Sequence, residues 1–396
     1  MKEIRKREQM KNERIAIDLT WVRVGKVGGT ESYVRNLLTG MGELGRENFT
    51  ALLLLAADNF SSFKKYSRYK CFRLVWCNTA SASQVQRILW QNMHLPRTLR
   101  LLGIRKCFEP VYSVPFLPAP GIRFYTVIHD LQALHYPEYC GKIREIWMRM
   151  SWKNAVKKSE KLISISRFVM DDINSTYSMA ARKNCVIYNP VAVSHGCGND
   201  EAVMEKYGLH NNSYYYTVSS LLPHKNLITL IKMLGILKKK NSSLFYPLAV
   251  SGIEYHAKGE IGDLRQQVKD EILNAIGEEG LSGYIIFTGF VSNSERNALY
   301  RNCRAFLFPS VFEGFGMPPV EAIGYGKPVL AAREASVPEI TGGLADYVSS
   351  PFDPGEYVKK LEEGLRVPSE DNVEKLLSRY ERTNVAGQYI TVFEND

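Results

Sequence analysis

The chain has 396 residues, 45% hydrophobic and 23% charged, a globular composition long enough for two ordinary domains. Its longest apolar runs, such as ALLLLAA at 51–57, fall short of the roughly 20 residues that cross a bilayer, and the start does not read as a signal peptide, so a membrane-spanning or secreted protein is not expected. The net charge of +10 is unevenly placed: residues 1–195 hold 31 Lys and Arg against 15 Asp and Glu (+16), and residues 196–396 hold 20 against 26 (−6), so the first half either meets something anionic or is a solvated basic surface.

Seven cysteines, an odd number without a CxxC pair, read as reduced thiols in cytoplasm. They set aside a disulfide frame and a zinc site.

The charged residues 1–13 read as frayed chain or a short surface helix. RIAIDL then reads as a buried strand, TWVRVGKVGG as a Gly-bearing loop, and TESYVRNLLTGMGELG as a helix whose Tyr33, Val34, Leu37, Leu38, Met41 and Leu44 recur at helical spacing. Strand-like runs follow in FTALLLLA, CFRLVWC, CFEPVY, IRFYTVIHD, KLISIS and CVIYNP. Helical patterns lie between many of them, including SASQVQRILWQNMHLPRTLRLLG and GKIREIWMRMSWKNAVKKSE. Strand and helix in alternation predict a mostly parallel sheet covered on both faces.

After Asn189-Pro190 the chain becomes polar and irregular, and a domain boundary is placed there, giving domains 1–195 and 196–370. The alternation restarts with YYYTVSS, NLITLIKMLGILKKK, YPLAVSG, GDLRQQVKDEILNAI and YIIFTGFV. A capping box, Ser292 and Glu295, opens the next helix. Residues 371–396 read as a helical segment able to pack back on the first domain. The fold class expected is α/β, two Rossmann-like domains with a cleft between them.

In open α/β sheets ligands meet the carboxyl ends of strands, where helix N-termini offer N–H groups to anions. Gly28-Gly29 follows the first strand and lets backbone approach a phosphate, although a plain turn has the same residues; the GxGxxG dinucleotide pattern is absent. His129 ends IRFYTVIHD, where an imidazole can donate to a substrate oxygen, trade a proton or serve structure. Lys225, in SSLLPHKN, is expected at the start of a helix, suited to a diphosphate or to solvent.

The stretch SVFEGFGMPPVEAIGYGKPV is the most informative. Pro318-Pro319 suits a first helical turn, so Glu321 is expected within that turn, and Glu313 at the end of a strand. Carboxylates there can accept from the hydroxyls of a ribose and of a second ring, with the backbone amides that Gly314 and Gly316 leave open between them for the linking diphosphate. A helix-dipole partner and a solvated acid would explain each glutamate alone but leave the Gly-rich gap without a reason.

These residues, with GGTESYVRNLL, HDLQALHYPEY, SISRFVMDD, YNPV, VSSLLPHKN, FTGFVSNSE and SVPEITGG, make nearly the whole chain resemble glycosyltransferase family 4, a retaining class with the two-domain GT-B fold. The resemblance implies that Glu313 contacts hydroxyls of the transferred sugar and Glu321 the ribose, with amides at Gly314, Phe315 and Gly316 near the sugar and phosphates. It also implies that Lys225 neutralises the diphosphate, that Gly28 and Gly29 close on the phosphates, and that His129 sits beside the sugar. Phe290 and Val291 would meet the base through their backbone. One departure is Ser220, where many members carry an arginine as a second cation. No D-x-D triplet occurs, in keeping with the metal-independent chemistry of that fold, and no cofactor is expected.

The resemblance further implies a nucleotide-sugar donor, with GDP-mannose ranked first and UDP- or dTDP-sugars open, and a glycan or polyprenyl-pyrophosphate-linked acceptor. The basic first domain suggests peripheral contact with anionic membrane at the inner face of the cell membrane, through residues 64–73 or through residues 143–158. In the latter, Ile143, Ile146, Trp147 and Met150 share a face that can equally pack on its own sheet. The rival readings are a basic nucleic-acid-binding protein and a sugar-nucleotide epimerase on the same fold; no nucleic acid is expected.

Overall fold

The computed structural model describes residues 13–26, 28–194, 199–253 and 263–395, so the charged stretch 1–12 and the polar residues 195–198 lie outside the described residues. The chain divides into two compact units, Met1–Val191 with Arg379–Asp396, and Ala192–Ser378.

In unit 1, β1 (Glu13–Asp18), β2 (Phe49–Ala56), β3 (Phe72–Cys77), β4 (Lys106–Glu109), β5 (Arg123–Ile128), β6 (Ser159–Ser164) and β7 (Asn184–Val186) form a sheet in the order β3-β2-β1-β4-β5-β6-β7. The described pairs are all parallel. The apolar run Ile15-Ala16-Ile17 is buried because a central parallel strand has helices on both faces. Helix α1 (Gly29–Leu44) lays Tyr33, Val34, Leu37, Leu38 and Met41 against the interior.

The single helix expected over 81–103 is two, α2 (Gln84–Met93) and α3 (Leu95–Leu101), broken at His94. Pro96 has no N–H, and inside a continuous helix its ring would strike the carbonyl four residues back. Helix α4 (Lys142–Lys158) buries Ser151, Trp152, Ala155 and Val156, whereas Ile143, Ile146 and Met150 stay exposed. The apolar face read in the sequence is thus not the face that packs on the sheet. In the other basic segment, residues 64–73, the aromatics turn inward: Tyr66 and Phe72 are buried and meet edge to face at 6.2 Å. Helix α5 (Arg167–Thr176) completes this part of the chain, its first turn capped by Ser166.

Unit 2 repeats the plan. Its strands β8 (Tyr215–Val218), β9 (Leu248–Ser251), β10 (Ile285–Gly289), β11 (Ala305–Phe308), β12 (Val329–Ala332) and β13 (Asp346–Val348) run parallel in the order β10-β9-β8-β11-β12-β13. Between them come α6 (Asp200–Tyr207), α7 (Leu227–Lys239), α8 (Asp263–Glu278), α9 (Asn293–Asn302), α10 (Met317–Gly324) and α11 (Pro354–Glu363). The Ser292–Glu295 capping box is formed in both directions at the start of α9.

The end of the chain is two helices, α12 (Glu370–Tyr380) and α13 (Arg382–Glu394). Helix α13 is part of unit 1, where the Tyr33 and Tyr389 hydroxyls bond at 2.8 Å and Phe393 meets Phe108 and Tyr125 at 5.3 Å.

Candidate active site

The strand order of unit 2 reverses between β8 and β11, so the loops leaving these neighbours turn to opposite faces and open a crevice at the carboxyl edge. Lys225 lies in the loop after β8 and Glu313 in the loop after β11. The fold brings them together: Lys225 Nζ is 2.5 Å from Glu313 Oε1. Both side chains are largely but not wholly shielded, at 21% and 15% exposure.

Each loop is tied down by its own sequence. Lys225 ends a short 3-10 turn, Pro223–Lys225, two residues ahead of α7, and is therefore not on the helix as expected. Asn226 then enters α7 from the left-handed region, φ 51°, donating to the carbonyls of Pro309 (3.3 Å) and Pro351 (2.7 Å) and accepting from Thr229 (2.7 Å). Across the crevice Val311 N donates to His224 O at 2.9 Å. Burial, with the neighbouring Lys225 charge, lowers His224 to about 4, leaving it neutral near pH 7.

Glu313 lies five residues past the end of β11 and not at its terminus, because Pro309 interrupts the strand. Its loop is clamped by Ser336, fully buried, whose Oγ reaches the carbonyls of Glu313 (2.9 Å) and Phe315 (2.8 Å). Those two contacts fix the Glu313–Gly314 and Phe315–Gly316 peptides. Gly316 then caps α10 at φ +85°, a conformation that L side chains adopt only under strain. Gly314, Phe315 and Gly316 are all buried.

Glu321 is in the second turn of α10 and not the first, since the helix starts at Met317, ahead of the two prolines. It is not brought into contact with Lys225 or Glu313 among the described interactions. Its carboxylate instead faces α9: Oε2 accepts from Tyr300 Oη at 2.9 Å, and Oε1 is 3.5 Å from an Arg296 guanidinium nitrogen. Tyr300 stacks on Tyr325 and meets Tyr216 edge to face. Arg296 and Tyr300 were not singled out from the sequence, although their i, i+4 spacing in SERNALYRNC puts both on one helical face. The Arg296 Nε is buried without a hydrogen-bond partner among the described residues, and the carboxylate keeps some exposure, 12%.

Phe290 and Val291 follow β10 on the same edge; Phe290 is largely exposed, and Gly252 N bonds to Gly289 O beside them. Ser220 lies in the loop after β8, where its carbonyl accepts from Leu222 N.

In unit 1 the corresponding reversal lies between β1 and β4. Gly28, at φ 55° and ψ −127°, precedes Gly29 at the first position of α1. Glu31 holds the loop before them, accepting from Gly25 N at 2.7 Å while pairing with Arg35. His129 follows β5, with Nε2 2.9 Å from Pro110 O and its ring edge to face with Tyr33 at 5.0 Å. A carbonyl only accepts, so Nε2 carries the hydrogen and Nδ1 is left as an acceptor. Burial lowers His129 to about 4, which makes it a weak base and no acid at neutral pH.

Two carboxyls that sequence reading missed lie on the paired strands at this reversal. Asp18, at the end of β1, accepts from Thr20 and from Gln91 Nε2 (2.8 Å). Glu109, at the end of β4, accepts from Ser113 at 3.0 Å. Burial, then the Asp18 charge, raises Glu109 well above the ordinary carboxyl range, and burial raises Asp18 too.

Two doubly wound parallel units, the second with an acid and a lysine paired at its switch point, define a GT-B glycosyltransferase architecture. Solved structures agree on the fold. Anabaena HepE in complex with UDP-glucose matches at TM-score 0.72 and 17% identity, over 97% of this chain and all of that one. WaaG, a glycosyltransferase involved in lipopolysaccharide biosynthesis, matches at TM-score 0.64 and 13% identity, over 96% of this chain and all of that one.

The chain belongs to glycosyltransferase family 4: the family models "Glycosyltransferase Family 4" and "Glycosyl transferases group 1" match residues 27–195 and 199–381. It is similar to the O-antigen chain mannosyltransferase RfbU of Salmonella typhimurium, at 28% identity over 83% of this chain and 85% of the relative. It is also similar to O-antigen chain mannosyltransferase B of Escherichia coli, at 27% over 63% and 64%.

Proposed function

We propose that this glycosyltransferase moves mannose from GDP-mannose to a hydroxyl of a lipid-linked glycan, with retention of configuration and without metal. The observation that carries this reading is the Lys225–Glu313 pair at the unit 2 switch point. The relatives named as O-antigen mannosyltransferases support the donor sugar and the class of acceptor.

The diphosphate would draw the Lys225 ammonium from Glu313, freeing that carboxylate to accept from sugar hydroxyls. Peptides at Gly314, Phe315 and Gly316, oriented through Ser336, would line the sugar and phosphates. Glu321, steered by Tyr300 and Arg296, would accept from the two ribose hydroxyls, and backbone at Phe290-Val291 would meet the base. Gly28 and Gly29 would admit phosphate oxygens to the start of α1.

The bond from anomeric carbon to phosphate oxygen breaks while the acceptor oxygen attacks from the same side. The acceptor's proton passes to the departing phosphate oxygen. Charge growing on that oxygen is met by Lys225, so a cation fixed before the reaction stabilises the transition state. His129, neutral and hydrogen-bonded to Pro110 O, would orient a sugar hydroxyl through Nδ1 and would not carry the proton.

A thermal-shift panel of GDP, UDP, dTDP and their sugars tests the donor, since a selective ligand stabilises the protein by mass action. GDP and GDP-mannose are expected to raise the Tm most. A larger response to UDP-glucose, the ligand named with HepE, would overturn the donor assignment.

A further inference from the structure

We infer that Tyr389, on the last helix of the chain, is a positioning residue for the reaction: through Tyr33 it fixes the direction in which His129 presents Nδ1. The inference rests on the reading of His129 as the group that orients a sugar hydroxyl.

Two described contacts hold the His129 ring. The hydrogen bond from Nε2 to Pro110 O, at 2.9 Å, fixes one atom of the imidazole and leaves the ring free to swing about that point. The Tyr33 ring, edge to face at 5.0 Å and 79°, closes off the swing. Nδ1 therefore points where Tyr33 lets it, and Tyr33 in turn needs an anchor.

Tyr389 supplies that anchor. The two hydroxyls bond at 2.8 Å, and both side chains are fully buried. A pair of phenylalanines would fill the same space with no polar group to satisfy, and exchanging both partners of a buried hydrogen bond for apolar groups of the same shape costs little stability. What the hydroxyls add is direction, because apolar packing tolerates sliding and a short, fully satisfied buried hydrogen bond does not. The ring they hold is the one that lies against His129.

The helix carrying Tyr389 is itself braced on the two strands that lead to the imidazole and to its partner. Phe108 and Tyr125 are paired in register on β4 and β5, two residues before Pro110 and four before His129. Tyr389 meets Phe108 at 5.3 Å, and Phe393 meets Phe108 and Tyr125 at the same distance. Lys106, buried at the start of β4 and paired with Glu13 at 2.9 Å, donates from Nζ to Phe393 O, one of the carbonyls that the end of a helix leaves without an intrahelical donor. On its other side α13 meets the backbone of α1, where a Cβ added to Gly40 would lie 2.1 Å from Arg382 O. Tyr33 and Tyr389 thus stand on two helices in direct contact, both within unit 1.

The test places Tyr389→Phe and Tyr33→Phe in the full chain, each alone and each with His129→Asn. Each phenylalanine keeps the ring and loses the hydroxyl. With GDP-mannose as donor and water as acceptor, either variant is expected to slow GDP release at saturating donor by about threefold to tenfold, with the half-saturating donor concentration within about twofold of wild type. In the His129→Asn background the same substitutions are expected to change the rate by less than about twofold, since a residue that acts through His129 then has nothing left to position. The second readout needs no turnover. In protein with 15N-labelled histidine, wild-type His129 is expected to show one ring nitrogen bearing hydrogen and one bare, and in either variant the two signals should move toward each other as the second tautomer is populated. Equal fractional losses with and without His129 would overturn the inference, as would His129 nitrogen signals identical in wild type and both variants. Nitrogen signals that move in the variants of a protein releasing no GDP from GDP-mannose would keep the link from Tyr389 to His129 and remove the donor reading instead.

Discussion

Replacing Glu313 with Gln should tighten the binding of GDP, and replacing Lys225 with Met should weaken it. In the free protein the ammonium is held at 2.5 Å by the carboxylate, so an arriving diphosphate competes with Glu313 for the same cation. A partly exposed ion pair is worth about 1 kcal/mol at the upper end, so Glu313→Gln should improve GDP affinity by up to about fivefold. Lys225→Met removes a charge-assisted contact worth about 1.5–3 kcal/mol and should weaken GDP by about tenfold to a hundredfold. Transfer should fall in both variants, because Glu313→Gln loses the acceptor for sugar hydroxyls. Titration calorimetry with GDP on the two single variants and the double variant reads the coupling directly. If Glu313→Gln weakens GDP as much as Lys225→Met does, the carboxylate is scaffolding for the lysine and the competition argument is wrong.

Three further outcomes follow from the same geometry. Glu321→Ala should weaken GDP and GDP-mannose alike with a smaller effect on kcat, and Tyr300→Phe should do the same by about threefold to tenfold through one lost hydrogen bond; an effect of Tyr300→Phe on kcat alone would contradict its role in steering Glu321. His129, lowered to about 4, is neutral throughout pH 5.5–8, so wild type and His129→Asn should differ in the size of kcat but not in its pH profile; a limb near pH 6.5 that vanishes in the variant would make His129 a titrating catalyst. Glu109 has a raised folded-state pKa, so the native state holds its proton longer than the unfolded chain, and stability is fullest below the ordinary carboxyl range and falls as pH rises toward the raised value; Glu109→Gln should flatten the Tm against pH and be the more stable form at pH 8, and a lower Tm there would contradict the assignment.

Much of the fold was legible because parallel strands buried on both faces leave unbroken apolar runs such as Ile15-Ala16-Ile17 and Leu52–Ala56. Pro96 shows the limit of periodicity: the apolar spacing continues across His94, but the backbone cannot. Lys225 and Glu313 were both legible as candidates, since each sits in a loop that the sequence marks with Pro or Gly. Their contact was not, because it depends on β8 and β11 being neighbours, and nothing local in the chain states a sheet order. Arg296 and Tyr300 escaped for a related reason: a helical face has meaning only once the partner across it, here Glu321, is known. On α4 the sequence reading named one apolar face, that of Ile143, Ile146, Trp147 and Met150, whereas the sheet takes the face of Trp152, Ala155 and Val156, which apolar spacing did not single out.

The most direct single measurement is a time course by 13C NMR of GDP-mannose labelled at the anomeric carbon, with stoichiometric enzyme, excess EDTA and water standing in for the acceptor. Release of GDP with α-mannose appearing first, abolished by Lys225→Met, is the predicted result. First appearance of β-mannose, or an intact donor throughout while metal restores turnover, would contradict it.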